Sequence, residues 1–247
     1  MTPNLNITAH AATITLRRTA QANRLEPDDL VVLTEHIQTI NNNEDVLVLR
    51  LQAEGKYFCS GYNITQIGGP RELTFEHMVD AFEDARPVTI AVIQGGVYGG
   101  ATDLALACDF RIGSPAADMF MPAARLGLHF YQRGLERYVS RLGINMAKRL
   151  FLTAEKIGAD EMKACGFLTH LVAADELAAT ADELTQTLAG MAPLAMLGMK
   201  KHLTRLARGA LDSADLQRDV ARAAQSADLK EGAAAWADKR PARFTGR

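Results

Sequence analysis

The chain has 247 residues, 48% of them hydrophobic, which is enough to bury a real core and fits one large domain or two small ones. Its 27 basic and 29 acidic residues leave a formal net charge of −2, so no excess of positive charge argues for nucleic acid or an anionic membrane as a partner. Cys59, Cys108 and Cys165 are too scattered for a disulfide framework or a paired-cysteine zinc site, and no stretch nears the roughly 18 consecutive apolar residues of a membrane span, which predicts a soluble, cytoplasmic protein without a metal.

The opening residues, MTPNLNITAHAATITLRR, carry no basic and then apolar leader pattern. Period-two hydrophobicity on both sides of a short polar break predicts a hairpin there. Pro27 then falls at a first helical turn, and Leu30, Leu33, Ile37 and Ile40 repeat at helical spacing through Asn41. VLVLRLQ from Val46 suits a buried strand, and KYFCSGYNITQIGG sets a glycine at the end of an apparent strand. VTIAVIQ from Val88 is a second buried strand leading into GGVYGGATDLALACD, and DFRIGS from Asp109 suggests a third. Strands separated by helices imply crossover connections and a mostly parallel sheet. From about Leu135 the patterns are almost only helical, with no strand signal. We therefore expect an α/β core over residues 1–190 and a helical C-terminal region over 191–247.

Four glycines crowd into the six positions from Gly95 to Gly100, directly before an apolar helix through Leu104 and Leu106. That arrangement sets unpaired backbone N–H groups and the positive end of a helix dipole at one spot, which suits an anion. The Lys-Ser/Thr ending of a P-loop and the spacing of a dinucleotide fold are both missing, so an oxyanion that develops during reaction is the better candidate. The Tyr62 N–H offers a second donor.

The pair FCSGYNI and GGVYGGATDLALACD resembles the two oxyanion-hole motifs of the crotonase (enoyl-CoA hydratase/isomerase) superfamily. The likeness runs along the chain: AQANRL resembles the early Asn-Ala-Leu segment, MPAARLGL the active-site strand and loop, and KRPARFTGR the C-terminal tail. It implies a spiral of ββα units, a helical trimerisation region giving a homotrimer or dimer of trimers, and an acyl-CoA substrate with no cofactor beyond the coenzyme A of that substrate. It also implies an enolate held by the N–H groups of Tyr62 and Gly100.

In hydratases of this superfamily two glutamates hold the water and move a proton. The first position is Asp103 here, a carboxylate one methylene shorter, and the second, after Pro122, is Ala123, which carries no acid or base. His129, Tyr131 and Glu136 follow in LHFYQRGLERY and are each capable of proton transfer. Each also has an ordinary structural reading, Glu136 as a solvated partner of Arg133 or Arg137. By the same resemblance Asn23, Arg24, Lys56, Gly61, Asn63, Ile64, Gly99, Ala123 and Phe130 line the substrate groove, and Lys239 and Phe244 lie in the tail that reaches a neighbouring subunit. The leading expectation is an enoyl-CoA hydratase/isomerase-like enzyme. The alternatives are a methylmalonyl-type acyl-CoA decarboxylase, and a superfamily member that binds CoA esters or RNA without turnover.

Overall fold

The computed structural model describes residues 1–66 and 73–247, and the Ile67–Gly69 end of the KYFCSGYNITQIGG segment lies outside the described residues. β1 (Asn4–Thr8) and β2 (Ala11–Leu16) form the expected antiparallel hairpin. Every second residue of β2, namely Ala12, Ile14 and Leu16, is buried, as a one-sided strand requires. α1 (Pro27–Asn41) starts with Pro27 in its first turn and with reciprocal capping between Glu26 and Asp29, and it buries Leu30, Leu33, Ile37 and Ile40.

β3 (Val48–Ala53), α2 (Phe75–Glu83), β4 (Val88–Ile93), β5 (Val97–Tyr98), α3 (Gly100–Ala107) and β6 (Phe110–Gly113) follow. Every residue of β4 is buried because helices cover both faces of this part of the sheet. The chain continues through β7 (Asp118–Phe120), a 3-10 turn at Ala123–Leu126, α4 (Gln132–Leu142), α5 (Ile144–Thr153), β8 (Ile157–Gly158), α6 (Ala159–Ala164) and β9 (His170–Leu171). The large sheet has the order β1-β2-β3-β4-β6-β9, parallel except at the hairpin, and β5, β7 and β8 form a small second sheet.

The two-residue strands β8 and β9 depart from the expectation of helices alone beyond Leu135; pairs this short show no alternation to read. Residues 57–63 do not form a continuous strand either. They run as loop with two isolated bridges, Cys59 to Val97 and Leu25 to Tyr62.

α7 (Leu177–Ala189), α8 (Pro193–Ala207), α9 (Ser213–Ala224) and α10 (Ala227–Ala237) complete the chain. Leu177 and Ala181 of α7 join Val48, Ile90, Val92 and Ile112 in an apolar cluster on one sheet face, and Met196 and Leu197 of α8 pack onto it. Packing against the sheet thus continues past residue 190. Beyond it the helices leave apolar side chains in solvent: Leu203 is 65%, Leu206 60% and Trp236 88% exposed. Among the described residues, no helix is long and apolar enough to cross a membrane.

Candidate active site

The glycine-rich turn is built so that two loops can touch backbone to backbone. Gly96 O accepts from the N–H groups of Phe58 and Cys59, and Tyr98 N–H donates to Cys59 O, which draws residues 58–62 alongside residues 96–100. Gly61 has φ +95°, and a Cβ there would stand 2.7 Å from Tyr98 O and 3.2 Å from Gly100 N. Gly99, φ +54°, then turns the chain into α3. Only glycine meets both demands at Gly61, a positive φ and the contact.

Gly100 opens α3, and its N–H donates to no acceptor among the described residues. The donor stands at the positive end of a helix dipole, where it can hold an oxygen that gains negative charge. The Leu25 to Tyr62 bridge is made through Leu25 N–H to Gly61 O and Asn63 N–H to Leu25 O, which fixes the loop carrying Gly61 and Tyr62.

One turn into α3, Asp103 is fully buried. It accepts two hydrogen bonds from Arg137, Nε to Oδ1 and Nη2 to Oδ2, each 2.9 Å, and a third from the Tyr131 hydroxyl. The carboxylate expected to move a proton is thus held by a bidentate ion pair and a phenol. Arg137 also meets Glu83 and Asp80 at 2.9 Å. Arg133, Arg141 and Arg208 add contacts to Asp80, Glu83 and Asp84, so four carboxylates and four guanidinium groups interlock between α2, α3, α4 and the end of α8. Burial pulls the Arg137 pKa down, and the carboxylates of Asp103 and Glu83 more than reverse this, keeping the cation charged. Burial, and then the Asp103 charge, push the Tyr131 hydroxyl well above an ordinary phenol. The next residue on α4 continues the clamp, since the Tyr138 hydroxyl bonds Thr102 Oγ1, which donates to Gly99 O at 2.6 Å.

Position 123 lies in the same corner. Gly99 N–H donates to Phe120 O at 3.0 Å, a Cβ on Gly99 would meet Pro122 Cδ at 3.9 Å, and Ala123 follows at 4% exposure. The structure brings Gly61, Tyr62, Gly99, Gly100, Asp103, Ala123 and Tyr131 to this region. The remaining candidates have other partners. The exposed His129 uses Nδ1 on Phe130 O, and Glu136 accepts from Gln132 at 2.8 Å rather than from either arginine expected for it. Phe130 is a core wedge stacked on Tyr131 at 4.4 Å and packed on Phe151 at 5.1 Å.

Asn23 is buried, and its amide donates to Glu54 O and Tyr57 O, fixing the loop that passes the glycines. Arg24 pairs with Glu26 at 2.7 Å, and Asn63 donates to the same carboxylate at 2.7 Å. Lys56 is exposed and lies 5.4 Å over the Tyr57 ring, while Ile64 is 55% exposed. In the tail, Lys239 is exposed and Phe244 packs toward Gly232 of α10. Phe244 also lines a groove of about 1070 Å³ with Lys200, Arg205 and Arg222, away from Gly100. His202, Asp215 and Asp219 converge within 4.8 Å, but Lys201 and Arg205 already match these carboxylates.

Sequence reasoning missed Arg137 and Phe75. Arg133, Arg137 and Arg141 recur at helical spacing on α4, facing Asp80 and Glu83 of α2 and Asp84 just after it, and that complementary stripe was the available signal. Phe75 rests on Gly100, whose added Cβ would stand 2.7 Å from the ring.

Parallel strands interleaved with helices and a glycine-framed donor at the start of α3 define a protein of the crotonase class. The enoyl-CoA hydratase/isomerase pattern matches residues 6–247, and the chain belongs to that family. YngF of Bacillus subtilis, whose name places it among the enoyl-CoA hydratases/isomerases, is 31% identical over 96% of this chain and 95% of its own. The short-chain-enoyl-CoA hydratase of Clostridium acetobutylicum is 29% identical over 82% of this chain and 81% of its own. The crystal structure of an enoyl-CoA hydratase from Bacillus anthracis superposes with a TM-score of 0.86 at 27% identity, covering 100% of both chains.

Proposed function

We propose that the protein is an acyl-CoA thioester enzyme that holds the thioester carbonyl oxygen on the backbone N–H groups of Gly100 and Tyr62 while an enolate forms. The observation that carries this is the Gly100 N–H at the start of α3, which has no acceptor among the described residues and is held close to Gly61 by a contact only glycine permits. Donors fixed in advance act on charge that appears only during reaction, and each is worth about 10²- to 10³-fold in rate.

Proton handling differs from the two-glutamate pattern. Ala123 has no acid or base, and Asp103 is committed to Arg137 and Tyr131. The Tyr131 hydroxyl keeps its proton and serves as a donor rather than as the base. The reading is of an enoyl-CoA hydratase/isomerase-like enzyme in which stabilisation of the enolate outweighs acid and base assistance.

The test is incubation of the purified protein with crotonyl-, 3-hexenoyl-, butyryl- and methylmalonyl-CoA, followed by chromatographic separation of the isomeric esters with mass spectrometry, and by calorimetric titration for binding. Water addition or double-bond migration supports the reading. Loss of CO₂ from methylmalonyl-CoA alone moves the protein to decarboxylation, and failure to bind any CoA ester overturns the proposal. The same reading includes a cytoplasmic homotrimer or dimer of trimers, supported by the solvent-facing Leu203, Leu206 and Trp236; a monomer by light scattering at micromolar concentration removes it.

A further inference from the structure

We infer that Phe75 closes the acyl end of the site and restricts the substrate to short acyl chains. The inference rests on the acyl-CoA reading above. Phe75 is the first residue of α2, set by the Thr74 cap, whose hydroxyl accepts from His77 N–H at 3.2 Å. A Cβ built on Gly100 would stand 2.7 Å from Phe75 Cζ and 2.8 Å from Cε1, so the ring lies against the residue whose N–H is the proposed donor. The Tyr62 ring extends this wall, its centroid 5.6 Å from that of Phe75.

A carbonyl oxygen accepting from Gly100 N–H lies about 2.9 Å from that nitrogen. The α-carbon is two bonds further, which puts the substituents of the thioester carbon within reach of the Phe75 and Tyr62 rings. The coenzyme A arm bears phosphates and must lead to solvent. Past Phe75 the way leads inward along α2, to Met78, Val79 and Phe82, each 0% exposed. The acyl group is therefore the substituent that faces Phe75, and among the described residues the close-packed core behind the ring stands in the way of a long chain.

The test is calorimetric titration of the wild type, Phe75→Ala and Phe75→Leu with saturated acetyl-, butyryl-, hexanoyl- and octanoyl-CoA, with melting curves to establish that each variant is folded. In the wild type, affinity should peak at a short chain and fall by octanoyl. Phe75→Ala should raise the octanoyl-to-butyryl affinity ratio on the order of tenfold, with Phe75→Leu between the two. An unchanged ratio in either folded variant overturns the inference, as does a wild type that prefers octanoyl-CoA. A wild type that binds none of the four overturns the acyl-CoA reading itself.

Discussion

Arg137 faces Asp103 with two nitrogens of its guanidinium fork, each 2.9 Å from a carboxylate oxygen, and neither side chain reaches solvent. A charge pair this deep is favourable only while both members are present. Arg137→Met leaves Asp103 and Glu83 as buried, under-compensated anions and should cost about 3–5 kcal/mol in urea unfolding. Adding Asp103→Leu should recover part of that loss. An Arg137→Met variant as stable as wild type would show that the pair contributes nothing.

Gly61 offers a test of the two-loop contact. Gly61→Ala places a methyl group 2.7 Å from Tyr98 O at a backbone φ of +95°. Residues 61 and 100 must then separate, and kcat/KM toward the preferred acyl-CoA should fall by about 10²- to 10³-fold, the scale of one lost donor. Circular dichroism should remain native. Full activity in the variant would release Gly61 from this role.

Hydration of crotonyl-CoA should be slow in the wild type, by about 10²- to 10⁴-fold relative to an enzyme with two positioned carboxylates. Ala123→Glu introduces a carboxylate next to the Gly99–Gly100 turn and should raise that rate, measured by loss of enoyl absorbance. The reverse finding, rapid hydration by the wild type, would require that Asp103 leave Arg137 during turnover.

Alkaline pH tests the buried phenols. Tyr131 and Tyr138 both have pKa values raised chiefly by burial, so folded and unfolded chains bind equal protons below about pH 10 and the unfolded chain alone releases them above it. The contribution of these two phenols to stability is therefore retained up to about pH 10 and lost as pH rises further, on top of the loss that the buried thiols Cys59 and Cys108 begin about one pH unit lower. Melting temperatures from pH 8 to 11.5 should show this decline, and Tyr131→Phe should make it shallower. Parallel curves for the two proteins would count against a buried, protonated Tyr131.

Much of this was legible from the sequence where a local rule operates. The helix from Pro27 to Asn41 declared itself by proline placement and period, and the strands at 48–53 and 88–93 by short apolar runs. The glycines from 95 to 100 pointed to a close backbone approach, and their partner loop is the one carrying Gly61. The condition of Asp103 was not legible, because its partner Arg137 lies 34 residues further along on another helix and a carboxylate looks the same in sequence whether free or paired. Phe75 escaped for a related reason: only the folded chain sets its ring on Gly100.

Arg208 follows the last turn of α8, yet it contacts Glu83 at 3.3 Å and Asp84 at 3.1 Å, inside the same ionic cluster that reaches Asp103. The C-terminal helices are therefore not an interchangeable module. A chimera taking its last 50 or so residues from a relative without a cation at position 208 would leave Glu83 short of a counter-charge, and the disturbance would spread through Arg137 to the helix that presents Gly100.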